Sequence, residues 1–160
     1  MKKENSILSH LDTAGNPQMV DVSEKKITTR AATAQSTVAF PPPVFKQLVK
    51  NKFLSSKGSI FATAIIAGTM AAKRTADLIP LCHPLSLSQI LINIETAENI
   101  LLIKATVKCD GKTGVEMEAL TAASVAALTV YDMCKGLSHD IIITQTRLLE
   151  KKGGKSDFKE

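Results

Sequence analysis

Ile90-Leu91-Ile92-Asn93-Ile94-Glu95, the pair Glu98-Asn99, and Ile100-Leu101-Leu102-Ile103-Lys104-Ala105-Thr106-Val107-Lys108-Cys109 together decide the fold class. In the first run Ile90, Ile92 and Ile94 alternate with Leu91, Asn93 and Glu95; in the second, Leu101, Ile103, Ala105 and Val107 alternate with their neighbours. A period of two lets one face of a strand enter a core while the other meets water, and Glu98-Asn99 turns the chain between them, so the pattern predicts a β-hairpin. C-terminal to it, Asp110-Gly111-Lys112-Thr113-Gly114 reads as a Gly-bearing loop. The composition of 115–135 predicts a helix, stopped by Gly136 at the usual terminal position. Ile141, Ile142 and Ile143 through Leu149 supply another strand, and Gly153-Gly154-Lys155-Ser156 a loose tail.

N-terminal to the hairpin, Ile79-Pro80-Leu81-Cys82-His83-Pro84 reads as a rigid loop, because Pro84 restricts His83 to extended geometry and both prolines lack donors. Before it, Ser59 suits an N-cap, and Phe61, Ala64, Ile65, Gly68 and Ala72 form one stripe of a helix reaching Ala76. The small residues of that helix, Gly68 among them, let another backbone come close. Gly58 separates it from a shorter helix that carries Val44, Phe45, Leu48, Val49 and Phe53, with Pro43 in its first turn. The β-branched density of Ile27, Thr28, Thr29, Thr33, Thr37 and Val38 predicts a strand across 26–40, ended by Pro41-Pro42-Pro43. Met19-Val20-Asp21-Val22, after the turn signal Gly15-Asn16-Pro17, reads as a short strand or an extended arm. The order β, α in two pieces, β, β, α, β is that of an α+β, ferredoxin-like βαββαβ domain, an antiparallel sheet with helices on one face. One domain over 1–160 is expected, with about 1–18 and 150–160 mobile.

A chain of 160 residues, 44% hydrophobic and 22% charged, can bury a sizeable core, and 4% aromatics means that core is aliphatic and Ala-rich. Met1-Lys2-Lys3-Glu4-Asn5-Ser6 leads into no apolar stretch of signal-peptide length and no run approaches a membrane span, so a cytoplasmic protein is expected. Cys82, Cys109 and Cys134 are odd in number and widely spaced, which indicates neither a disulfide framework nor a zinc knuckle. A net charge of +5 favours an anionic partner: a nucleotide, a polyphosphate or a nucleic acid.

The helix at 115–135 is the most informative element for chemistry, since its nearly uncharged middle separates Glu116 and Glu118 from Asp132 and Lys135. Acidic residues suit a first turn, and Asp132 with Lys135 forms an i,i+3 pair, so charge placement alone favours an ordinary solvated helix. Asp132 in the last turn nevertheless opposes the dipole. Glu116 and Asp132 lie sixteen residues apart, about 24 Å along a continuous helix, which exceeds the reach of one small molecule. Two ends serving one site therefore require neighbouring subunits. His83 can donate to a phosphate or shuttle a proton, although a lone loop histidine is more often structural. Cys82 beside it points away in extended chain, so neither a Cys/His nucleophile pair nor a metal site is indicated. Lys57 before Gly58 at a helix opening looks like an anion-binding corner, with a solvated lysine the commoner alternative. Lys73 and Arg74 complement a helix end. The Gly-Gly-Lys-Ser tail lacks the earlier glycine and the following helix of a phosphate loop.

Leu81-Cys82-His83-Pro84-Leu85, Lys112-Thr113-Gly114-Val115-Glu116-Met117-Glu118-Ala119-Leu120 and Tyr131-Asp132-Met133-Cys134-Lys135 resemble the molybdenum cofactor biosynthesis protein C family, the cyclic pyranopterin monophosphate synthases. Lys57-Gly58 and Ala71-Ala72-Lys73-Arg74 fit the same pattern in order, and the similarity runs from Met19 to Ser156. The resemblance implies a lyase-type homohexamer, a trimer of dimers with sites between subunits. It converts 3',8-cyclo-7,8-dihydroguanosine 5'-triphosphate to cyclic pyranopterin monophosphate and diphosphate. It implies Asp132 as the catalytic acid or base with Lys57 and Lys135 beside it, and Leu81, Cys82, His83, Met117 and Glu118 along the substrate. Glu116, Lys73 and Arg74 are added here as proton-transfer or phosphate-binding candidates. No redox cofactor or resident metal is implied, and the sequence does not indicate a divalent cation with the triphosphate. A basic ferredoxin-like sheet could instead bind RNA, but such sheets stack bases on aromatic residues and the hairpin at 90–109 has none. A catalytically silent assembly partner is disfavoured by the presence of Lys57, His83, Glu118, Asp132 and Lys135 together.

Overall fold

A computed structural model of the chain describes residues 14–160. Strand β1 spans Thr28–Ala39, helix α1 Pro42–Lys50, the short strands β2 and β3 Leu54–Ser55 and Gly58–Ser59, and helix α2 Ile60–Lys73. A single turn, α3, covers Thr75–Leu78, followed by β4 Leu87–Ala97, β5 Ile100–Gly111, α4 Glu116–Cys134, β6 Ile142–Lys152 and β7 Phe158–Lys159. The main sheet runs β4-β5-β1-β6-β7, antiparallel at every pairing. Without β7, this is the strand order of the ferredoxin-like βαββαβ fold, an α+β arrangement in which α2 and α4 cover one face of the sheet. The expected fold class holds.

The hairpin forms where its alternation places it. Leu101, Ile103, Ala105 and Val107 are fully buried under α4, and Asn99 closes the turn at φ 64°, a conformation asparagine tolerates better than most residues. In α4 the inward positions are small: Ala119, Ala122, Ala123, Ala126 and Ala127 are all fully buried. Side chains of one carbon let this helix lie close to the sheet and to α2. At Gly68 an added Cβ would stand 2.7 Å from the Ala122 carbonyl oxygen and 3.2 Å from the Ala126 Cβ, so any side chain there would force the two helices to shift. Four of the five phenylalanines gather at one end of this aliphatic core, and the fifth, Phe158, is exposed on β7. Phe40, Phe45, Phe53 and Phe61 form a chain of rings 5.9, 5.9 and 4.5 Å apart at the end where α1 packs.

Several boundaries differ from expectation for local reasons. The second helix breaks at Arg74, two residues before Ala76, where the Thr75 hydroxyl donates to the Ala72 carbonyl and competes with the backbone ladder. The small β2–β3 hairpin has no sequence signal beyond Gly58, whose φ of 107° it requires. Gly136 does not take the left-handed conformation of a glycine terminator; the Lys135 amide donates to the Tyr131 carbonyl and Leu137 to Cys134, so the last turn tightens instead. Residues 18–22 form an arm rather than a strand. Of the ends expected to be loose, residues 1–13 lie outside the described residues. Within 150–160, β6 continues to Lys152 and β7 pairs back onto it. No helix among the described residues is long and apolar enough to cross a membrane.

Candidate functional site

A cavity of about 570 Å³ opens beside the N-terminus of α4. The 79–86 loop brings Leu81, Cys82 and His83 to it, and α4 contributes Glu116, Met117 and Glu118, which unites six expected site residues in one place. Glu118 is the buried member, 4% exposed, because the helix turns it inward beneath the loop while Met117 faces out. Burial pushes the Glu118 carboxyl above the ordinary carboxylate range, and the neighbouring Glu116 charge adds to the effect. The thiol of Cys82 is raised as well, first by burial and then by the charge of Glu118. Both groups thus lean toward their neutral, proton-bearing forms. Glu116 folds back over Gly114, where any Cβ would meet its Oε2 at 1.8 Å, and its other oxygen lies 3.4 Å from Lys151 Nζ. The glycine at 114 is therefore what gives that carboxylate room.

The His83 ring reaches across the cavity, and its Nε2–H donates to the Val20 carbonyl at 2.8 Å, which fixes the proton on that nitrogen. Around the same opening stand Lys25, Arg30, Lys112, Lys151, Lys152 and Lys155. None of these six was chosen as a site residue from the sequence, because they come from the arm, the start of β1, the 110–115 loop, the end of β6 and the turn after it. Strand pairing is what gathers them: Ala31 lies opposite Lys152 in the sheet, and at Gly153 an added Cβ would meet the Thr29 carbonyl at 1.9 Å. The only local signal was the Lys151-Lys152-Gly153-Gly154-Lys155 run, which fails as a phosphate loop but marks cations beside permissive backbone. Six cations against two carboxylates, one of them inclined to be neutral, leave a pocket suited to a highly charged anion.

The remaining candidates lie elsewhere. Asp132 and Lys135 are at the far end of the unbroken helix α4, about 24 Å from Glu116 along its axis. Asp132 Oδ1 is 2.7 Å from Lys135 Nζ. That bond and the Lys135 charge hold the Asp132 carboxyl below its usual range, with the Lys57 charge adding a smaller pull in the same direction. The β2–β3 turn sets Lys57, whose amide donates to the Ser55 Oγ, and Ser59 caps α2 by accepting from the Ala62 amide at 3.2 Å. Lys73 and Arg74 sit at the α2–α3 junction and do not line the cavity. One chain thus carries two separate groups of candidate residues, a cationic cavity with His83 and Glu118 and the Asp132–Lys135 pair with Lys57, which the length of α4 keeps apart. Among the described residues no three His, Cys, Asp or Glu side chains gather as a metal-binding set.

Both groups lie within the part of the chain that comparison with known proteins matches. The model of the MoaC family matches residues 19–154. The cyclic pyranopterin monophosphate synthase of Xanthomonas oryzae pv. oryzae (strain MAFF 311018) is 59% identical over 158 residues, 98% of this chain and 96% of that protein. The protein of the same name from Xanthomonas axonopodis pv. citri (strain 306) is 58% identical over 152 residues, 94% and 92% of the two chains. Molybdenum cofactor biosynthesis protein 1 of Drosophila melanogaster is 54% identical over 156 residues, 96% of this chain and 27% of that longer protein. With the family model spanning the cavity loop, the 110–118 segment and the whole of α4, and with identity at this level over nearly the full chain, the chain belongs to the MoaC family.

Proposed function

We propose that this protein is a cytoplasmic cyclic pyranopterin monophosphate synthase, acting as a single domain that assembles into a homohexamer, a trimer of dimers. Its reaction converts 3',8-cyclo-7,8-dihydroguanosine 5'-triphosphate to cyclic pyranopterin monophosphate and diphosphate. The observation that carries this reading is the split of the machinery along α4. A polyphosphate-sized cationic cavity lies at one end and an ion-paired carboxylate with two lysines at the other, so a complete site needs Asp132, Lys135 and Lys57 from a second protomer.

Each group has a part that its surroundings favour. Lys25, Arg30, Lys151 and Lys155 neutralise the triphosphate. When a ribose-derived hydroxyl attacks the α-phosphorus, the bond to the β-phosphate oxygen breaks and the departing diphosphate takes its electron pair into this cationic field. Glu118, inclined to hold its proton, donates to or orients the base, while Leu81 and Met117 cover its apolar faces. Asp132, held ionised by Lys135, accepts protons as the purine five-membered ring opens and the pterin closes. Glu116 and His83 complete the relay, and Lys57 and Lys135 return protons. Lys73 and Arg74 are retained as phosphate contacts only through a neighbouring protomer. Each positioned proton transfer contributes roughly 10²–10⁴-fold.

The test is incubation of purified protein with the cyclised dihydro-GTP intermediate, following diphosphate release and pterin formation together. Asp132→Asn and Lys57→Ala proteins are expected to assemble normally and turn over little; near-normal turnover in either variant would remove it from the mechanism.

A further inference from the structure

The arm at residues 20–25 crosses the mouth of the cavity, turning the half-buried Val20 and Val22 inward while Asp21, Ser23, Glu24 and Lys25 face solvent. A local turn holds its shape: the Ser23 amide and hydroxyl both donate to Asp21 Oδ1, at 2.8 and 2.6 Å, and the Lys25 amide donates to the Val22 carbonyl at 3.0 Å. Two side chains from different cavity walls reach it. His83 meets the Val20 carbonyl at one end, and at the other Lys112 Nζ donates to the Ser23 carbonyl at 2.6 Å across 89 positions of sequence. The two Ser23 bonds hold the Asp21 carboxyl below its usual range, and the Lys112 charge adds a smaller pull in the same direction. The Lys112 donor is thus directed at the arm's backbone, and the turn it holds ends at Lys25, a cation of the cavity rim.

We propose that Lys112 is a positioning residue: its ammonium clips the Asp21–Ser23 turn to the cavity wall and thereby places Lys25 over the bound polyphosphate. This rests on the reading of the cavity as a triphosphate site, and it adds a residue that acts on substrate through the arm rather than by touching it. Arginine keeps a cationic donor of similar reach; methionine keeps the stem and removes the donor.

The experiment compares the full chain with Lys112→Met and Lys112→Arg in two measurements. Without substrate, amide hydrogen exchange over residues 21–25 and trypsin cleavage after Lys25 or Lys26 report on the clip itself. With the cyclised dihydroguanosine triphosphate, KM and kcat are separated. In Lys112→Met, arm exchange is expected to quicken about tenfold, as for loss of one charged hydrogen bond, with KM rising by a similar factor and kcat within about twofold. Lys112→Arg recovers most of both changes, and Ser23→Ala, which removes one bond inside the turn, loosens the arm in the same direction. A higher KM with unchanged arm exchange overturns the proposal in favour of direct contact. Faster arm exchange with unchanged KM, or a fall in kcat alone, overturns it too. A wild-type chain that fails to turn over the compound defeats the assigned reaction but leaves the exchange measurement to decide the clip, which unchanged exchange would refute.

Discussion

Replacing Gly68 by alanine tests how closely the two long helices must approach. The new Cβ would fall 2.7 Å from the Ala122 carbonyl oxygen, 2.7 Å from Ile92 Cδ1 and 3.2 Å from Ala126 Cβ. Ile92 can rotate its terminal methyl away, but the Ala122 oxygen belongs to the backbone of α4 and moves only if the helix moves. Alanine is favoured over glycine within a helix by about 1 kcal/mol. Overpacking of a well-filled core costs about 1–3 kcal/mol. The net expectation is a loss of roughly 1 kcal/mol, because backbone rather than a flexible side chain opposes the methyl. At about 2–4 °C per kcal/mol for a domain of this size, Tm should fall by a few degrees. Gly68→Val adds two further methyls to the same gap and should melt lower still. Thermal unfolding followed by circular dichroism, at one fixed protein concentration since an assembly melts in a concentration-dependent way, provides the measurement. A Gly68→Ala protein that melts above its parent would refute the close-approach reasoning, since helix propensity would then have outweighed a contact that the geometry makes prohibitive.

Glu118→Gln should raise stability at neutral pH while lowering turnover. A carboxyl whose folded-state pKa is raised opposes folding once pH passes the ordinary carboxylate range, so the gain should vanish below about pH 4, where both forms are neutral. Urea unfolding midpoints across pH measure it, and a pH-independent difference would exclude the protonation cause. Mixing inactive His83→Ala and Asp132→Asn proteins, then dissociating and reassembling them, should restore turnover if the proposed site is shared, because some mixed interfaces would then unite an intact cavity with an intact Asp132 cluster. A mixture as inactive as its parts would mean the cavity and the Asp132 cluster do not meet between protomers. Toward alkylating reagents Cys82, half-exposed at the cavity, should react first, while Cys109 and Cys134 stay protected until unfolding. Burial pushes the Cys134 thiol up to about 11, which leaves little thiolate at pH 8. Peptide mapping after timed iodoacetamide treatment distinguishes the three, and early labelling of Cys134 would contradict the packing of α4.

Much of this molecule was legible in residue order because the signals concerned are local. Alternation at 90–109 marked the hairpin, prolines at 41–43 ended β1, Ser59 announced its helix, and three words around His83, Glu118 and Asp132 carried the family. The length of α4 alone separated Glu116 from Asp132, since rise per residue is a property of the helix and not of what surrounds it. What the sequence left open depended on neighbours far along the chain. Lys25, Arg30, Lys112 and Lys151 become one cationic rim only through the pairing of β1 with β6 and the placing of the arm across the 110–115 loop. Glu118 and Glu116, two residues apart, acquire different environments because helix geometry turns one beneath the 79–86 loop and leaves the other beside Lys151. Gly136 looked like a left-handed terminator, yet the short-range bonds of Lys135 and Leu137 closed the helix without it. Local propensity and covalent spacing thus determined the elements and the distance between the cavity and the Asp132–Lys135 pair. Long-range strand pairing and burial decided which charges share a cavity and which carboxyl is shifted toward its protonated form, because desolvation and electric fields act through space rather than along the chain.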